Sequence, residues 1–122
     1  MISKKILIVE DDEVIREVLR DLLESEGYVV ECAANGEEGI QALRREGPLP
    51  SLILLDIMMP VKDGFEFRYE QEQDSTLAGV PVVVMTADHN AESKRLRIGA
   101  KGFIKKPFNV DDMVGMVERY CI

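Results

Sequence analysis

Short apolar runs alternate with longer segments of mixed polarity along the chain. Continuous apolar runs bounded by polar residues are typical of strands buried on both faces of a parallel sheet. The pattern predicts strands at residues 6–9, 28–33, 52–55, 82–85 and 102–105, of which 28–33 is the weakest. Between them it predicts helices at residues 14–26, 37–46, 91–98 and 110–120. This β-α alternation predicts an α/β fold with a parallel sheet covered by helices on both faces.

Residues that start and stop helices flank several of these segments. Asp12 and Asn109 can accept hydrogen bonds from free amides of a first turn, so we expect them to cap the first and last helices. Gly27 and Gly99 stand where two of the helices should end. One face of the first helix is apolar at helical spacing, and we predict that its members are buried: Ile15, Val18, Leu19, Leu22 and Leu23.

The segment between the third and fourth strands has a poor helical pattern. Phe65, Phe67 and Tyr69 recur at every second residue, and polar residues occupy the positions between and after them. A parallel connection between two buried strands nevertheless requires a crossover, which is usually a helix. We therefore predict a third helix here.

Composition and charge argue against membrane-spanning and nucleic-acid-binding proteins. The 122 residues fit one domain, and 46% of them are hydrophobic, which is enough for a core. We find neither an apolar run of the ~18 residues that a membrane helix needs nor a signal-peptide core, so we expect a cytoplasmic protein without membrane contact. The net charge of −8 argues against direct nucleic-acid binding and favours cations or a basic protein partner.

Polar residues follow four of the predicted strands at the points where the strands end. Glu10, Asp11 and Asp12 follow the first strand, and Asp56 follows the third. Thr86 and Lys106 follow the fourth and fifth strands. Ligands of open parallel sheets bind outside the carboxyl ends of the strands, so these side chains should meet at one edge.

The residue types at this edge point to phosphoryl chemistry. Clustered carboxylates repel one another and need a cation, and oxygen ligands favour Mg²⁺, with Mn²⁺ as an alternative. A carboxylate beside such an ion can attack a phosphoryl group. A hydroxyl, such as that of Thr86, and an ammonium, such as that of Lys106, can hold the phosphoryl oxygens. Together these groups predict an aspartyl-phosphate site.

Four segments in this order resemble the receiver domain of two-component response regulators over essentially the whole chain. They are residues 6–12, residues 54–60 with Asp63 and Gly64, residues 85–87, and residues 99–108. The resemblance implies a single domain over residues 1–122. It also implies a doubly wound, five-stranded parallel sheet with the flavodoxin-like strand order 2-1-3-4-5.

The resemblance also implies a role for individual residues. Asp56 would accept a phosphoryl group, and Glu10 and Asp11 would bind Mg²⁺ with Asp56 and the backbone carbonyl of Met58. Thr86 and Lys106 would hold the phosphoryl oxygens. Two further features are implied, namely Phe103 as the aromatic residue that switches with Thr86, and a cis peptide bond between Lys106 and Pro107.

The function that the resemblance implies is a phosphorylation-activated signalling switch rather than an ordinary enzyme. It would assist its own phosphorylation and dephosphorylation. The phosphoryl donor would be a sensor histidine kinase or a phosphotransfer protein. The signal would leave through the fourth helix, fifth strand and fifth helix, toward a downstream protein or an output domain excised from this sequence. A homodimer through the same face is a further expectation.

Several alternatives stay open at this point. The acidic pair could be Asp11 and Asp12 instead of Glu10 and Asp11. The chain could be a phosphohydrolase with an aspartyl nucleophile, although Met58 stands where such enzymes usually have a second acid. It could also be an interaction module that keeps the fold without phosphorylation. Arg68 and Gln71 replace apolar residues of the family, which suggests a third helix that is loosely packed, displaced or part of a partner surface.

Overall fold

Five parallel strands form the centre of the protein. The structure, a computed structural model, describes residues 4–121. Its elements follow one another as β1 (Lys5–Val9), α1 (Glu13–Ser25), β2 (Val29–Ala33), α2 (Gly36–Arg44), β3 (Leu52–Asp56), α3 (Gly64–Gln73), β4 (Val82–Thr86), α4 (Ala91–Ile98), β5 (Gly102–Lys105) and α5 (Val110–Tyr120). The predicted element order is confirmed. The predicted bounds are shifted by at most two residues, because the last residue of a strand or helix depends on its contacts.

The strands lie side by side in the order β2-β1-β3-β4-β5. This confirms the α/β class and the flavodoxin-like order. Neighbouring strands are in register near their ends, where Val9 pairs with Leu55, Asp56 with Met85, and Thr86 with Lys105. The register therefore brings the polar residues that follow the strands to one edge of the sheet.

Alternate strand residues face two separate apolar layers. On one face, Leu19 and Leu23 of α1 and Met113 and Val117 of α5 pack against the sheet. On the other face, the packing residues come from α2, α3 and α4, and they include Ile40, Leu43, Phe67 and Ile98. Since both faces are covered, the central strands are apolar at nearly every position. Within residues 4–121, no helix is both long and apolar enough to cross a membrane.

The first helix buries less of its apolar face than predicted. Leu19 and Leu23 are fully buried, but Val18 is 55% exposed, so the prediction that Val18 is a core residue is wrong. Val18 and the more exposed Val14 border a groove with Pro107 and Phe108 instead of facing the sheet. The cap predicted for this helix is confirmed, because the Asp12 carboxylate accepts hydrogen bonds from the amides of Val14 and Ile15.

The predicted third helix is confirmed, and its first turn explains why it forms. The carboxylate of Asp63 accepts a hydrogen bond from the amide of Glu66, whose own carboxylate accepts one from the amide of Asp63. Gly64 lies so close to β3 that a Cβ there would stand 2.8 Å from the Cα of Ile57. The capping box and the glycine position therefore account for this helix better than its hydrophobic pattern does.

The expectation of a loosely packed or displaced third helix is wrong. Gln71 is fully buried, and its amide donates to the carbonyls of Leu77 and Val80, which lie between α3 and β4. Arg68 donates to the Gln71 side chain at 2.9 Å and to the carbonyl of Ile98 at 3.0 Å. The two polar side chains thus bind carbonyls that apolar residues would leave unpaired.

Replacing Gln71 with leucine should destabilise the protein, although leucine has nearly the same volume. The carbonyls of Leu77 and Val80 would lose their donor, so we expect the free energy of unfolding to fall by about 2–3 kcal/mol. Urea denaturation measures this difference. Gln73→Leu, on the exposed end of the same helix, is the matched control and should change stability by less than about 0.5 kcal/mol. Equal stability of the two variants would contradict this account.

Candidate functional site

A cavity of about 540 Å³ opens at the carboxyl edge of the sheet. Six of the predicted residues line it, namely Glu10, Asp11, Asp56, Met58, Thr86 and Lys106. The parallel sheet therefore brings together residues that are up to 96 positions apart in the sequence.

Three carboxylates in the cavity lie close enough to share one cation. Glu10, Asp11 and Asp56 each offer an oxygen, and these oxygens lie within 4.8 Å of one another. Glu10 and Asp56 are buried, whereas Asp11 is exposed at the mouth of the cavity. A buried cluster of oxygen ligands that is open to solvent on one side fits a hard divalent ion that keeps part of its water shell.

Asp12 stands apart from this cluster. Its side-chain oxygen accepts hydrogen bonds at 2.9 and 3.1 Å from the amides of Val14 and Ile15 at the start of α1. The local geometry thus gives Asp12 a capping contact and puts Glu10 and Asp11 beside Asp56. This arrangement favours the pair Glu10 and Asp11 over the pair Asp11 and Asp12.

Lys106 contacts two of the acids. Its ammonium lies 2.5 Å from a carboxylate oxygen of Glu10 and 3.5 Å from one of Asp56. Burial alone would lower the pKa of Lys106, but the hydrogen bond to Glu10 and the charge of Asp56 raise it above its usual value. Lys106 is therefore fully charged at neutral pH. The peptide bond between Lys106 and Pro107 is cis, the state that the resemblance implies.

Asp56 is in an unfavourable environment for a negative charge. Burial raises the pKa of its carboxyl to about 8, and the neighbouring Glu10 adds to this rise while Lys106 opposes it. A carboxylate that is costly to ionise gains most from a nearby cation. Without metal, ionisation of Asp56 in the folded protein therefore costs free energy. A divalent ion beside the carboxylate would lower this cost.

Thr86 and Phe103 lie on adjacent strands. The Thr86 side chain is buried, and its hydroxyl oxygen accepts a hydrogen bond from the amide of Asp88 at 3.1 Å. Phe103 is half-buried and packs against the apolar layer on the side of α2, α3 and α4. It also borders a surface groove with Met116 and Tyr120 of α5. Its ring thus touches both the core and the surface formed by α4, β5 and α5.

The sequence alone did not single out Lys94, which also lines the cavity. Its ammonium lies 2.6 Å from the carboxylate of Asp88, six residues earlier in the chain. The hydrophobic pattern of α4 is weak, since Ala91, Leu96 and Ile98 are the only apolar residues of this helix. For that reason the sequence could not show which side chains of α4 face the cavity.

The loop between β3 and α3 contains a strained residue. Val61 has a φ of 70°, in the left-handed region that β-branched residues rarely adopt. Its side chain is 79% exposed, so little packing offsets the strain. The loop connects Asp56 and Met58 to the capping residue Asp63. Strain in this loop therefore lies close to the proposed metal ligands.

The chain matches known proteins over almost its whole length. The family model described as "Response regulator receiver domain" matches residues 6–118. The chain belongs to the response regulator receiver domain family.

Individual relatives agree with this assignment. Chemotaxis protein CheY of Halobacterium salinarum is 34% identical over 108 residues, which cover 87% of each chain. Transcriptional regulatory protein CrdR of Helicobacter pylori is 32% identical over 97% of this chain, which spans only 55% of that relative. Receiver domains of two-component systems are thus found both alone and within longer proteins.

A solved receiver domain also shares the fold. The receiver domain of sensor histidine kinase PA1611 from Pseudomonas aeruginosa superimposes with a TM-score of 0.86 at 28% identity, covering 98% of each chain. That structure holds a magnesium ion coordinated in its active-site cleft. The receiver fold described above is therefore shared with a protein that is known to bind Mg²⁺.

Neutralising Asp56 should stabilise the metal-free receiver domain. Because folding raises the pKa of Asp56 from 3.8 to about 8, the folded state binds this proton more tightly, and stability falls as pH rises through that window. Asp56→Asn should thus raise the free energy of unfolding at pH 7 by about 2 kcal/mol, with the gain shrinking toward pH 4.

Urea denaturation in EDTA at several pH values measures this gain. Asp21→Asn removes the same charge from an exposed position of α1 and serves as the control, with little change expected. Addition of Mg²⁺ should stabilise the wild type more than Asp56→Asn. A loss of stability in Asp56→Asn at pH 7 would contradict the strained-carboxylate account.

Replacing Val61 with glycine should relieve the backbone strain in the loop. Glycine adopts a φ of 70° without a steric cost, so we expect Val61→Gly to raise the free energy of unfolding by about 1 kcal/mol despite its larger unfolded-state entropy. Val61→Ala keeps the Cβ atom and is the matched control, with a smaller gain. Thermal denaturation compares the two variants. If alanine stabilises as much as glycine, the exposed side chain and not the backbone is the cause.

Proposed function

We propose that this receiver domain is a phosphorylation-activated switch in which Asp56 accepts a phosphoryl group from a phosphohistidine. The observation that carries this proposal is the buried Asp56 carboxylate, which lies within 4.8 Å of oxygens of Glu10 and Asp11 and 3.5 Å from the Lys106 ammonium. A nucleophile for a phosphoryl group needs positive charge close to the reacting atoms, and this arrangement offers Lys106 and ligands for a cation.

The metal site in this proposal uses the acidic cluster. Glu10, Asp11, Asp56 and the backbone carbonyl of Met58 would hold Mg²⁺, and Mn²⁺ would fit the same oxygen ligands. When bound, the ion supplies positive charge that offsets the carboxylates and the phosphoryl oxygens. The close approach of three carboxylate oxygens supports this part of the proposal, as does the magnesium in the related receiver domain.

The chain's own residues account for the transfer step. A carboxylate oxygen of Asp56 forms the new O–P bond as the P–N bond of the phosphohistidine breaks, and the imidazole nitrogen keeps the bonding electron pair. Lys106 lies 3.5 Å from Asp56 and places a positive charge beside the developing oxygens. Thr86 lies on the neighbouring strand and can donate its hydroxyl proton to a phosphoryl oxygen.

The output step follows from the added charge. An aspartyl phosphate carries nearly two negative charges and strong hydrogen-bond acceptors, which attract the Thr86 hydroxyl. Movement of Thr86 toward Asp56 frees space beside it, and Phe103 turns inward to fill that space. The surface formed by α4, β5 and α5 then changes shape. The change is a shift between two populated states rather than a new fold.

The partners follow from this chemistry. The donor is a sensor histidine kinase or a phosphotransfer protein, and a downstream protein or an output domain reads the surface of α4, β5 and α5. A homodimer that forms through that surface is an alternative way to transmit the signal. The family model matches residues 6–118, which supports one receiver domain over residues 1–122. The domain acts in the cytoplasm in this proposal, and its net charge of −8 argues against direct DNA binding.

Two other functions are less well supported by the site. A phosphohydrolase needs a general acid near the nucleophile, but two residues after Asp56 the chain has Met58, whose side chain is 70% exposed. An interaction module has no need of three converging carboxylates and a lysine that are expensive to bury. The phosphohydrolase would use the same nucleophile but lacks its general acid, and the interaction module gives the environment of Asp56 no role.

Intact mass measured after incubation with acetyl phosphate tests the proposal. We expect the wild type to gain one phosphoryl group in the presence of Mg²⁺ and none in EDTA. Asp56→Asn should gain none, whereas the exposed control Asp21→Asn should react like the wild type. A histidine-kinase donor and beryllofluoride binding provide two further ways to detect a reactive Asp56.

Three results would argue against the proposal. An adduct that persists in Asp56→Asn would place the phosphoacceptor elsewhere. Steady hydrolysis of phosphate esters would favour the phosphohydrolase. Failure of the wild type with every donor and with beryllofluoride would leave the interaction module as the better account.

A further inference from the structure

One ion pair in the cavity has no part in the chemistry described so far. The ammonium of Lys94 on α4 lies 2.6 Å from an oxygen of Asp88, and both residues line the cavity that contains Asp56. The Lys94 side chain is only 19% exposed and that of Asp88 33% exposed. A half-buried pair beside a site for a charged group acts on that group more strongly than an ordinary surface pair.

Asp88 also connects this pair to Thr86. The amide of Asp88 donates to the Thr86 hydroxyl oxygen at 3.1 Å, while its second carboxylate oxygen accepts from the amide of Asn90 at 2.7 Å. Lys94 thus binds the side chain of Asp88, and the backbone amide of Asp88 binds the Thr86 hydroxyl. The contacts run from α4 through the loop after β4 to the hydroxyl that faces the phosphoryl site.

The charge of Asp88 would oppose phosphorylation if it were left unpaired. Hydrogen bonds from Lys94 and from the amide of Asn90 lower the pKa of Asp88, so this carboxylate stays ionised at neutral pH. The cavity already contains the carboxylates of Glu10, Asp11 and Asp56. An additional unpaired charge in the same cavity would repel an incoming phosphoryl group.

We propose that Lys94 is a positioning residue for the phosphoryl site, which neutralises Asp88 and, through Asp88, orients the Thr86 hydroxyl until a phosphoryl group attracts it toward Asp56. Lys94 and Lys106 then have separate tasks. Lys106 contacts Glu10 and Asp56, whereas Lys94 pairs with Asp88 in the same cavity. This inference rests on the proposed function, because it concerns the binding of a phosphoryl group at Asp56.

The decisive variant is Lys94→Gln, assayed by Mg²⁺-dependent binding of beryllofluoride, a phosphoryl mimic. We expect its affinity for beryllofluoride to fall by about three- to ten-fold, because Asp88 loses the ammonium that offsets its charge. Its affinity for Mg²⁺ alone should stay the same or rise, since a positive charge near the metal ligands has been removed. General damage to the site would weaken both ligands together.

Two further variants separate the charge of Lys94 from its shape. Lys94→Arg keeps the charge and should bind beryllofluoride nearly as the wild type does. Adding Asp88→Asn to Lys94→Gln removes both charges and should recover most of the lost affinity. Lys101→Gln is the matched control, because Lys101 is exposed and its amide bonds to Val82 at the opposite end of β4.

A separate readout in the free protein tests the link to Thr86. Hydrogen exchange of the Asp88 amide, followed by NMR, should be faster in Lys94→Gln than in the wild type and unchanged in Lys101→Gln. The proposal is overturned if Lys94→Gln binds beryllofluoride like the wild type, or if Asp88→Asn restores none of the lost affinity.

Failure of the proposed function gives a different result. In that case the wild type itself does not bind beryllofluoride or accept a phosphoryl group. The exchange rate of the Asp88 amide then decides the positioning role by itself. An unchanged rate in Lys94→Gln overturns that role, and a faster rate supports it.

Discussion

Repulsion among three carboxylates at one edge of the sheet is the interaction on which the rest of this structure depends. Oxygens of Glu10, Asp11 and Asp56 lie within 4.8 Å of one another, and two of the three residues are buried. The strands β1 and β3 are neighbours in the sheet, and their register leaves no freedom to separate these side chains. The apolar layers on both faces hold the strands in place, so hydrophobic packing must outweigh the electrostatic cost of the site.

The two lysines of the cavity reduce this cost without removing it. Lys106 contacts Glu10 and Asp56, yet burial keeps the pKa of Asp56 raised to about 8. Two cationic side chains face more carboxylates than they can neutralise. The remaining negative charge suits a divalent cation, and in the proposed function that cation would offset the charge of a phosphoryl group. The environment that the proposed function needs at Asp56 is thus one that lowers the stability of the metal-free protein.

The sequence predicted the features that depend on strong, local patterns. Continuous apolar runs specified the central strands, and the polar residues after them specified the edge at which Glu10, Asp56, Thr86 and Lys106 meet. The strand order was implied by resemblance, since hydrophobic periodicity alone does not say which strands are neighbours. The third helix was predicted only from the need for a crossover. Its physical cause is the capping box of Asp63 and Glu66, which the hydrophobic pattern does not reflect.

Other features depend on tertiary contacts that no local pattern contains. Val18 has the right spacing for a core position but lies at the edge of α1, because the sheet contacts only the side of Leu19 and Leu23. Arg68 and Gln71 read as surface residues, whereas they bind carbonyls of Ile98 and Leu77 that lie far away in the sequence or beyond the helix end. The burial of a polar residue depends on its partners, which only the folded chain provides.

These polar contacts also explain why α4 is suited to respond to charge. Helices α1, α4 and α5 each bury two residues, but one of those in α4 is the small Ala91, whereas α1 and α5 bury larger apolar side chains at both positions. Lys94 binds Asp88 in the cavity that contains Asp56, and Arg68 binds the carbonyl of Ile98 at the other end of α4. Apolar packing hardly responds to a new charge, whereas an ion pair in the same cavity does. A phosphoryl group on Asp56 would therefore act on α4 more directly than on the helices that are packed through apolar side chains.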